Sequence, residues 1–408
     1  MNVFFVCVDC LRRDFVDGPW ADTPFLDSLR TEGLFYEQLF SSATTTTPAV
    51  ASFMSGCYAE RNGIYSLRNA TLSPDVETLA EAFSRAGYDT HALATGPLAP
   101  ETGLDRGFDT YEDRDADRDC FTDWFEDAID RIDGFESPFF GYLHLWEIHA
   151  RIETLPEFDI PEYGPNAYAR TLSALDRKLE TVSEHLPDDT LFVLHGDHGE
   201  SISARHDPLA WSLRQIRDRL RLDWGLDTRA VERRIDGFAS GRRHDYPDHY
   251  LAGDHGDTVY DFTSNVPLLL SGPGVPAATV SEQVRQIDLW PTLLDLADIE
   301  YDPETIHGRS LVPVTEVESR PAYIRGCGES LHGEDNWMAA VRLDGQKYVS
   351  YPSREWPDEL YDLDADRWEL TPRVPDDPDR FRRHIPERER ESEAIDIDDR
   401  LRDLGYLE

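Results

Sequence analysis

Leu191-Phe-Val-Leu194 is an apolar run that breaks at once into His195-Gly-Asp-His-Gly-Glu200. A short, fully apolar run of this kind reads as a parallel strand covered on both faces, which places it in a sheet flanked by helices. In such sheets ligands gather beyond the carboxyl ends of the strands, where loops aim side chains into one crevice. Asp197 and His198, side by side at such an end among glycines that allow a tight backbone, are donors suited to a hard cation or to zinc. The plainer reading is a polar loop whose histidines only bond neighbouring backbone. Val3-Phe-Phe-Val-Cys-Val8 repeats the pattern and ends at Asp9. Two such carboxylates converge only if their strands are neighbours, so the pair of motifs constrains topology as well as chemistry.

The chain has 408 residues, room for one large α/β domain and a smaller appendage, and 40% hydrophobic content to fill a core. Its 81 acidic residues against 40 basic ones give a net charge of -41, spread along the chain; the only lysines are Lys178 and Lys347. Self-repulsion of that size opposes a compact state in dilute buffer. At molar salt the Debye length falls to roughly 3 Å and the repulsion is screened, so the composition reads as adapted to a high-salt cytoplasm. The same field makes nucleic acid a poor partner. The five cysteines are odd in number and scattered, and Cys7 and Cys10 have CxxC spacing without a second pair, so they read as structural thiols. The chain opens on a strand, Asn2 to Val8, with no signal-like segment and no apolar run long enough to span a membrane; the expectation is a soluble cytoplasmic protein with no membrane partner.

Thr23 to Gly33 carries a helix pattern with Pro24 in the first turn, and Phe35 to Phe40 a strand. Thr44-Thr-Thr-Thr-Pro-Ala-Val-Ala-Ser-Phe-Met-Ser-Gly56 then sets hydroxyls and free backbone N–H groups at the start of a small-residue helix. That arrangement suits an anion or an activated nucleophile, and taken alone it reads first as a Thr-rich cap. Further along, a helix is expected over Leu79 to Gly87, a strand over Tyr88 to Ala94, loop over 97 to 120, a helix over Phe121 to Ile132, a strand running into Trp146-Glu-Ile-His149, and a helix over Tyr168 to Leu186.

The pieces VCVDCLRRD, TTTTPAVASFMSGCYAERNG, LHLWEIHA, FVLHGDHGES, GDHGDTVYDFTSNVPLLLSGPG and ELYDLDADRWE, spread over almost the whole chain, resemble in sequence and order the sulfatase-like branch of the alkaline phosphatase superfamily. The resemblance implies that Asp9, Asp197 and His198 are metal ligands, with Thr46 completing the shell as nucleophile. It implies that His149 and His255 are pocket histidines able to stabilise substrate oxygens or assist the leaving group. Two departures matter. Sulfatases oxidise a cysteine two residues before a proline to formylglycine, within Cys-x-Pro-Ser-Arg. Here Thr46 stands two before Pro48, and Ala49 and Val50 replace Ser and Arg. Threonine cannot become formylglycine, whereas superfamily phosphatases and phosphodiesterases use an unmodified Ser or Thr; Thr44, Thr45 and Thr47 remain register alternatives. Many sulfatases also carry a second Asp where Cys10 stands, which leaves one carboxylate fewer for a calcium shell.

The expected fold is α/β, a doubly wound, mostly parallel sheet of the alkaline phosphatase/sulfatase kind over residues 1–318, with a small α+β subdomain over 319–408. The family's Gly-x-His-Gly segment comes late, at Gly253-Asp-His-Gly256, after an arginine-rich insert over 201–250. In it Leu213, Ile216, Leu220 and Leu222 have helical spacing, and Arg214, Arg217, Arg219 and Arg221 either pair internally or reach an anionic substrate as a lid. His206, His244 and His249 are loop residues without an assigned role. The expected activity is metal-dependent hydrolysis of phosphate mono- or diesters through Thr46, with Mn²⁺, Zn²⁺, Mg²⁺ or Ca²⁺. The alternatives are a sulfate ester hydrolase and a non-catalytic member that binds anionic glycans.

Overall fold

A computed structural model describes the chain apart from residues 68–70, 116–117, 150–151, 206, 240–243, 253–254, 328–335, 391–394, 396 and 404–408. His206, Gly253, Asp254 and residues 404–408 therefore lie outside the described residues. The main sheet is built from β1 (Asn2–Val8), β2 (Leu34–Phe40), β3 (Asp89–Ala94), β4 (Thr110–Asp113), β5 (Phe139–Leu145), β6 (Thr190–Gly196), β7 (Asn265–Ser271), β8 (Ala278–Val280) and β9 (Val284–Arg285). Their spatial order is β4-β3-β5-β1-β6-β7-β2-β8, with β9 on β2. All pairings are parallel except those of β7, which runs antiparallel to β6 and to β2. The sheet is thus mostly parallel with helices on both faces.

The apolar runs become the central strands because only there are both faces covered. Every residue of β1, β5 and β6 is buried. Alternate residues of β1 feed opposite cores: Val3, Phe5 and Cys7 join the helices Thr46–Ser55 and Leu79–Arg85, while Phe4, Val6 and Val8 join Pro24–Glu32 and Ala167–Glu184. At roughly 25 cal/mol per Å² of apolar surface removed from water, two such layers supply the main stabilisation. Register decides the site. Val8 pairs with Gly196, so the residues that follow, Asp9 and Asp197, emerge side by side.

One expectation fails. The acidic stretch 97–120 is not all loop: Thr110–Asp113 forms β4, the sheet's edge. Its residues are exposed or half-buried, so no apolar run marks it, as an edge strand allows.

A second, antiparallel sheet comprises β10 (Ala322–Gly326), β11 (Met338–Leu343), β12 (Gln346–Ser350) and β13 (Glu359–Asp362) in that order. Asp344 and Gly345 close the β11–β12 hairpin with φ of 50° and 71°, the left-handed pair that a two-residue turn of this type requires. This sheet bears on the main one directly beside the threonine run: Thr44 N–H donates to Arg325 carbonyl at 3.0 Å and Arg325 N–H to Ser42 carbonyl at 2.9 Å. Helix Asp398–Asp403 lays Leu401 against Leu67, Ala99 and Ile397. Among the described residues no helix is long and apolar enough to cross a membrane.

Candidate active site

Asp9, Thr46, Asp197 and His198 meet at one end of the parallel strands, each with a fully buried side chain. Asp9 and Asp197 follow β1 and β6, His198 follows Asp197, and Thr46 is the first residue of helix Thr46–Ser55. His198 Nε2 lies 3.6 Å from Asp9 Oδ1 and 3.4 Å from Asp197 Oδ2. Thr46 Oγ1 donates to Asp9 Oδ2 at 3.2 Å and sits 3.3 Å from His198 Nε2. The Thr-rich cap does not materialise, since Thr45, at the cap position, makes no side-chain bond to the helix. Thr44 instead donates to Thr258 carbonyl at 2.9 Å, and Thr45 contacts Cys327 Sγ at 3.0 Å. Only Thr46 of the four is within hydrogen-bonding distance of Asp9 and His198 among the described residues.

The donor set fits a divalent cation on two observations. Asp197 Oδ1 accepts from the N–H groups of Cys10 and His198, at 3.1 and 2.7 Å, yet its Oδ2 and the Oδ1 of Asp9 are buried without a hydrogen-bond partner among the described residues. Orphaned buried carboxylate oxygens call for a cation. His198 Nδ1 donates to Gly199 carbonyl at 2.9 Å, which turns the Nε2 lone pair toward both carboxylates. The electrostatics agree. Burial, and then the charge of Asp197, pushes the Asp9 carboxyl up to about 7, and burial carries Asp197 to about 7 as well. Burial lowers His198 to about 4, keeping it neutral. Two carboxylates that resist ionising side by side are relieved by positive charge.

His255 and His149 flank this cluster. The His255 ring centre is 4.4 Å from that of His198 and 5.2 Å from that of His149. His255 Nδ1 lies 3.0 Å from Glu200 Oε2, and Arg205 pairs with the same carboxylate oxygen at 2.6 Å. Burial alone would raise Glu200; Arg205 and His255 outweigh it and hold the carboxyl well below its usual range. His149 stacks on Trp146 at 4.7 Å, and burial drives its pKa well below the usual histidine range. Cys10 takes a left-handed backbone, φ 64°, so that its N–H reaches Asp197. Its thiol donates to Glu200 at 3.4 Å. With His198 Nδ1 committed to a carbonyl, Cys10 acts as a thiol donor in the wall of the site.

The remaining polar residues near the strand ends and in the insert have other partners. His195, the first histidine of the motif, stays in the core, stacked on Phe5 at 4.8 Å with Nδ1 donating to Gly196 carbonyl at 2.8 Å. His144 is buried in β5, where burial lowers it to about 3. Glu147 is structural, pairing with Arg114 at 2.7 Å. Asp288 is structural too, pairing with Arg285 at 2.6 Å. Arg12 bridges Asp14 and Asp248 at 2.7 and 3.0 Å. His249 bonds the Trp368 carbonyl at 2.6 Å, and His244 the Tyr246 carbonyl at 2.7 Å. The insert arginines pair internally: Arg217 with Asp257 at 3.1 Å and Arg221 with Glu232 at 2.7 Å, while Arg214 bonds backbone carbonyls. The arginine that does reach the site is Arg205, which no sequence pattern distinguished from its neighbours. Ser41 and Gln286, both bonded to the Asp197 carbonyl at 2.5 and 2.8 Å, were equally silent.

Comparison with known proteins adds the following. A model described as sulfatase matches residues 1–299, and one described as the C-terminal region of N-sulphoglucosamine sulphohydrolase matches 255–380. The chain is 24% identical over 372 residues to the uncharacterized sulfatase YidJ of Escherichia coli (strain K12), covering 77% of this chain and 71% of that protein. It is 23% identical over 451 residues to an arylsulfatase of Clostridium perfringens (strain 13 / Type A), covering 91% and 89%. Among solved structures, the phosphonate monoester hydrolase of Agrobacterium radiobacter superposes with a TM-score of 0.66 at 16% identity, over 99% of this chain and 94% of that one.

Proposed function

The chain belongs to the sulfatase family of metal-dependent ester hydrolases, and on that premise we propose that it hydrolyses phosphate mono- or diesters with Thr46 as nucleophile. The observation that carries the reading is the Thr46 hydroxyl set between Asp9 and His198, two residues before Pro48, the place the resemblance gives to the oxidised cysteine of sulfatases. Asp9, Asp197, His198 and Thr46 are the residues that would hold the cation. A divalent ion bound there supplies Lewis acidity, which favours the ionised Thr46 hydroxyl and offsets charge on the phosphoryl oxygens. One carboxylate fewer, with a histidine in the set, leans the site toward Mn²⁺ or Zn²⁺ over Ca²⁺.

Thr46 Oγ1, its proton released to water, attacks phosphorus as the ester P–O bond opposite it breaks, and the departing alkoxide takes a proton from a pocket histidine. His255 suits that role, because the Glu200 carboxylate at its Nδ1 stabilises the imidazolium. His149, held neutral, suits hydrogen bonding to a substrate oxygen. Water then cleaves the threonine–phosphate ester and restores the hydroxyl. The fold shared with a phosphonate monoester hydrolase is in keeping with chemistry at phosphorus.

A sulfate ester is the second reading, favoured by the names of the curated relatives. The test is turnover of nitrophenyl phosphate, bis-nitrophenyl phosphate and nitrophenyl sulfate in molar KCl, with Mn²⁺, Zn²⁺, Mg²⁺ or Ca²⁺ added to the metal-stripped protein. Phosphoester turnover is expected, with Thr46→Ala lowering it at least ~10³-fold while the bound metal content stays measurable. Activity that survives Thr46→Ala removes the nucleophile assignment, and turnover of the sulfate alone removes the phosphoesterase reading. No turnover with metal bound favours the binding-only alternative.

A further inference from the structure

Eight of the eleven large hydrophobic side chains left exposed among the described residues lie between Leu209 and Phe238, so the exposed apolar surface is concentrated on one segment. That segment is a pair of helices, Pro208–Leu222 and Arg229–Ala239, joined by a short turn. Its amphipathic sense is reversed. Arg214, Arg217, Arg221 and Arg229 are the buried face: Arg214 and Arg217 bond carbonyls of the body, Arg217 and Arg229 pair with its Asp257 and Glu359, and Arg221 pairs with Glu232 of the second helix, while Trp211 is 61% exposed, Ile216 56% and Trp224 72%. Along the first helix Leu209, Leu213, Ile216 and Leu220 recur at spacings of four, three and four, the repeat of a helix seam that takes a partner helix. Leu213 and Leu220 are half-buried, and Leu209 and Ile216 open to solvent.

Charge selects the occupant. Residues 208–239 hold seven arginines against five acids, a net +2 within a chain of -41. The exposed charged residues of the helix pair and its turn are Arg219, Arg234, Asp223 and Asp227, the last already paired with Arg229 at 2.7 Å. A two-fold axis sets this near-neutral face of one copy against the same face of the other, an isologous contact that adds little like-charge repulsion. A bilayer fits less well, since interfacial helices turn Lys and Arg toward the headgroups and most of these arginines point into the body. We propose that the face formed by helices Pro208–Leu222 and Arg229–Ala239 docks a second copy of the chain in a two-fold dimer.

The test is sedimentation velocity in molar KCl over a concentration series, comparing wild type with Ile216→Glu/Trp224→Glu. Both positions are solvent-exposed and distant in role from the catalytic groups, so the variant is expected to keep its circular dichroism and its turnover per chain. Wild type is expected to sediment at twice the chain mass of 46.6 kDa and the variant at 46.6 kDa. A wild type that stays monomeric at every concentration overturns the proposal, as does a variant that still dimerises. Flotation of wild type with vesicles of phosphatidylcholine and phosphatidylglycerol, lost in the variant, would also overturn it and assign the face to a lipid surface.

Discussion

Three neighbouring residues, His195, Asp197 and His198, show how far side-chain identity alone can be read. All three are fully buried, yet Asp197 and His198 turn into the site while His195 turns between Phe5 and Phe53. The alternation of a strand explains part of this, since His195 still belongs to β6 and the other two follow its end. Burial lowers His195 to about 3 from a usual 6.5. A depressed folded pKa means that the neutral ring contributes stability above pH 6.5, lost as the pH falls toward 3 and the unfolded chain takes up the proton. His195→Phe removes this term. Between pH 6.5 and pH 5 wild type is expected to lose roughly 2 kcal/mol more unfolding free energy than the variant, at about 1.4 kcal/mol per pH unit per proton, as measured by urea unfolding in molar KCl. Equal slopes would show that the ring protonates in place.

At the scale of elements, the site depends on a loop with no spare room. Gly199 N–H donates to Thr263 carbonyl at 2.8 Å, and a Cβ on Gly199 would stand 2.1 Å from the Phe262 carbonyl oxygen. Close approach of backbone, and not a left-handed φ, is what calls for glycine here. Gly199→Ala must displace the turn that carries Asp197 and His198. It is expected to lower unfolding free energy by more than about 2 kcal/mol and to weaken Mn²⁺ binding, read by the metal-induced shift in Tm and by calorimetric titration. Unchanged values in both would show that the loop yields without cost. Elements of strong period were legible, as with β1, β6 and helix Ala167–Glu184. Those without an apolar signature were not: β4 is acidic at the sheet's edge, and the second insert helix, Arg229–Ala239, hides behind its arginines.

For the whole molecule the governing quantity is the charge of -41. Pairing offsets it locally, as where Lys347, fully buried, meets Asp261 at 2.6 Å and Glu369 at 2.8 Å. With twice as many acids as bases most carboxylates face water, and on the high-salt reading salt screens them. Raising KCl from about 0.1 M to about 2 M is expected to raise Tm by ~10 °C or more, with sucrose at equal osmolarity giving a smaller rise. A Tm insensitive to salt would refute the high-salt reading of the composition. The proposed dimer belongs to this scale too, because the apolar, near-neutral helix pair offers like-charged copies a face on which to meet.

The sequence by itself determined the strand ends and the chemistry placed there. Apolar runs long enough only for a doubly covered strand, each closed by a carboxylate, dictate a parallel sheet with Asp9 and Asp197 at one end, and a threonine run before Pro48 puts hydroxyls at a helix start. Tertiary structure decided what periodicity cannot encode. That β1 and β6 are neighbours in register, that Thr46 and not Thr44, Thr45 or Thr47 meets Asp9, and that Arg205 out of many arginines closes on Glu200 all follow from contacts between residues far apart in the chain. Such contacts are set by how whole layers pack. The reversed insert helices make the same point: hydrophobic spacing predicted a helix over Leu213 to Leu222, but the partners available to its arginines decided which face turned inward.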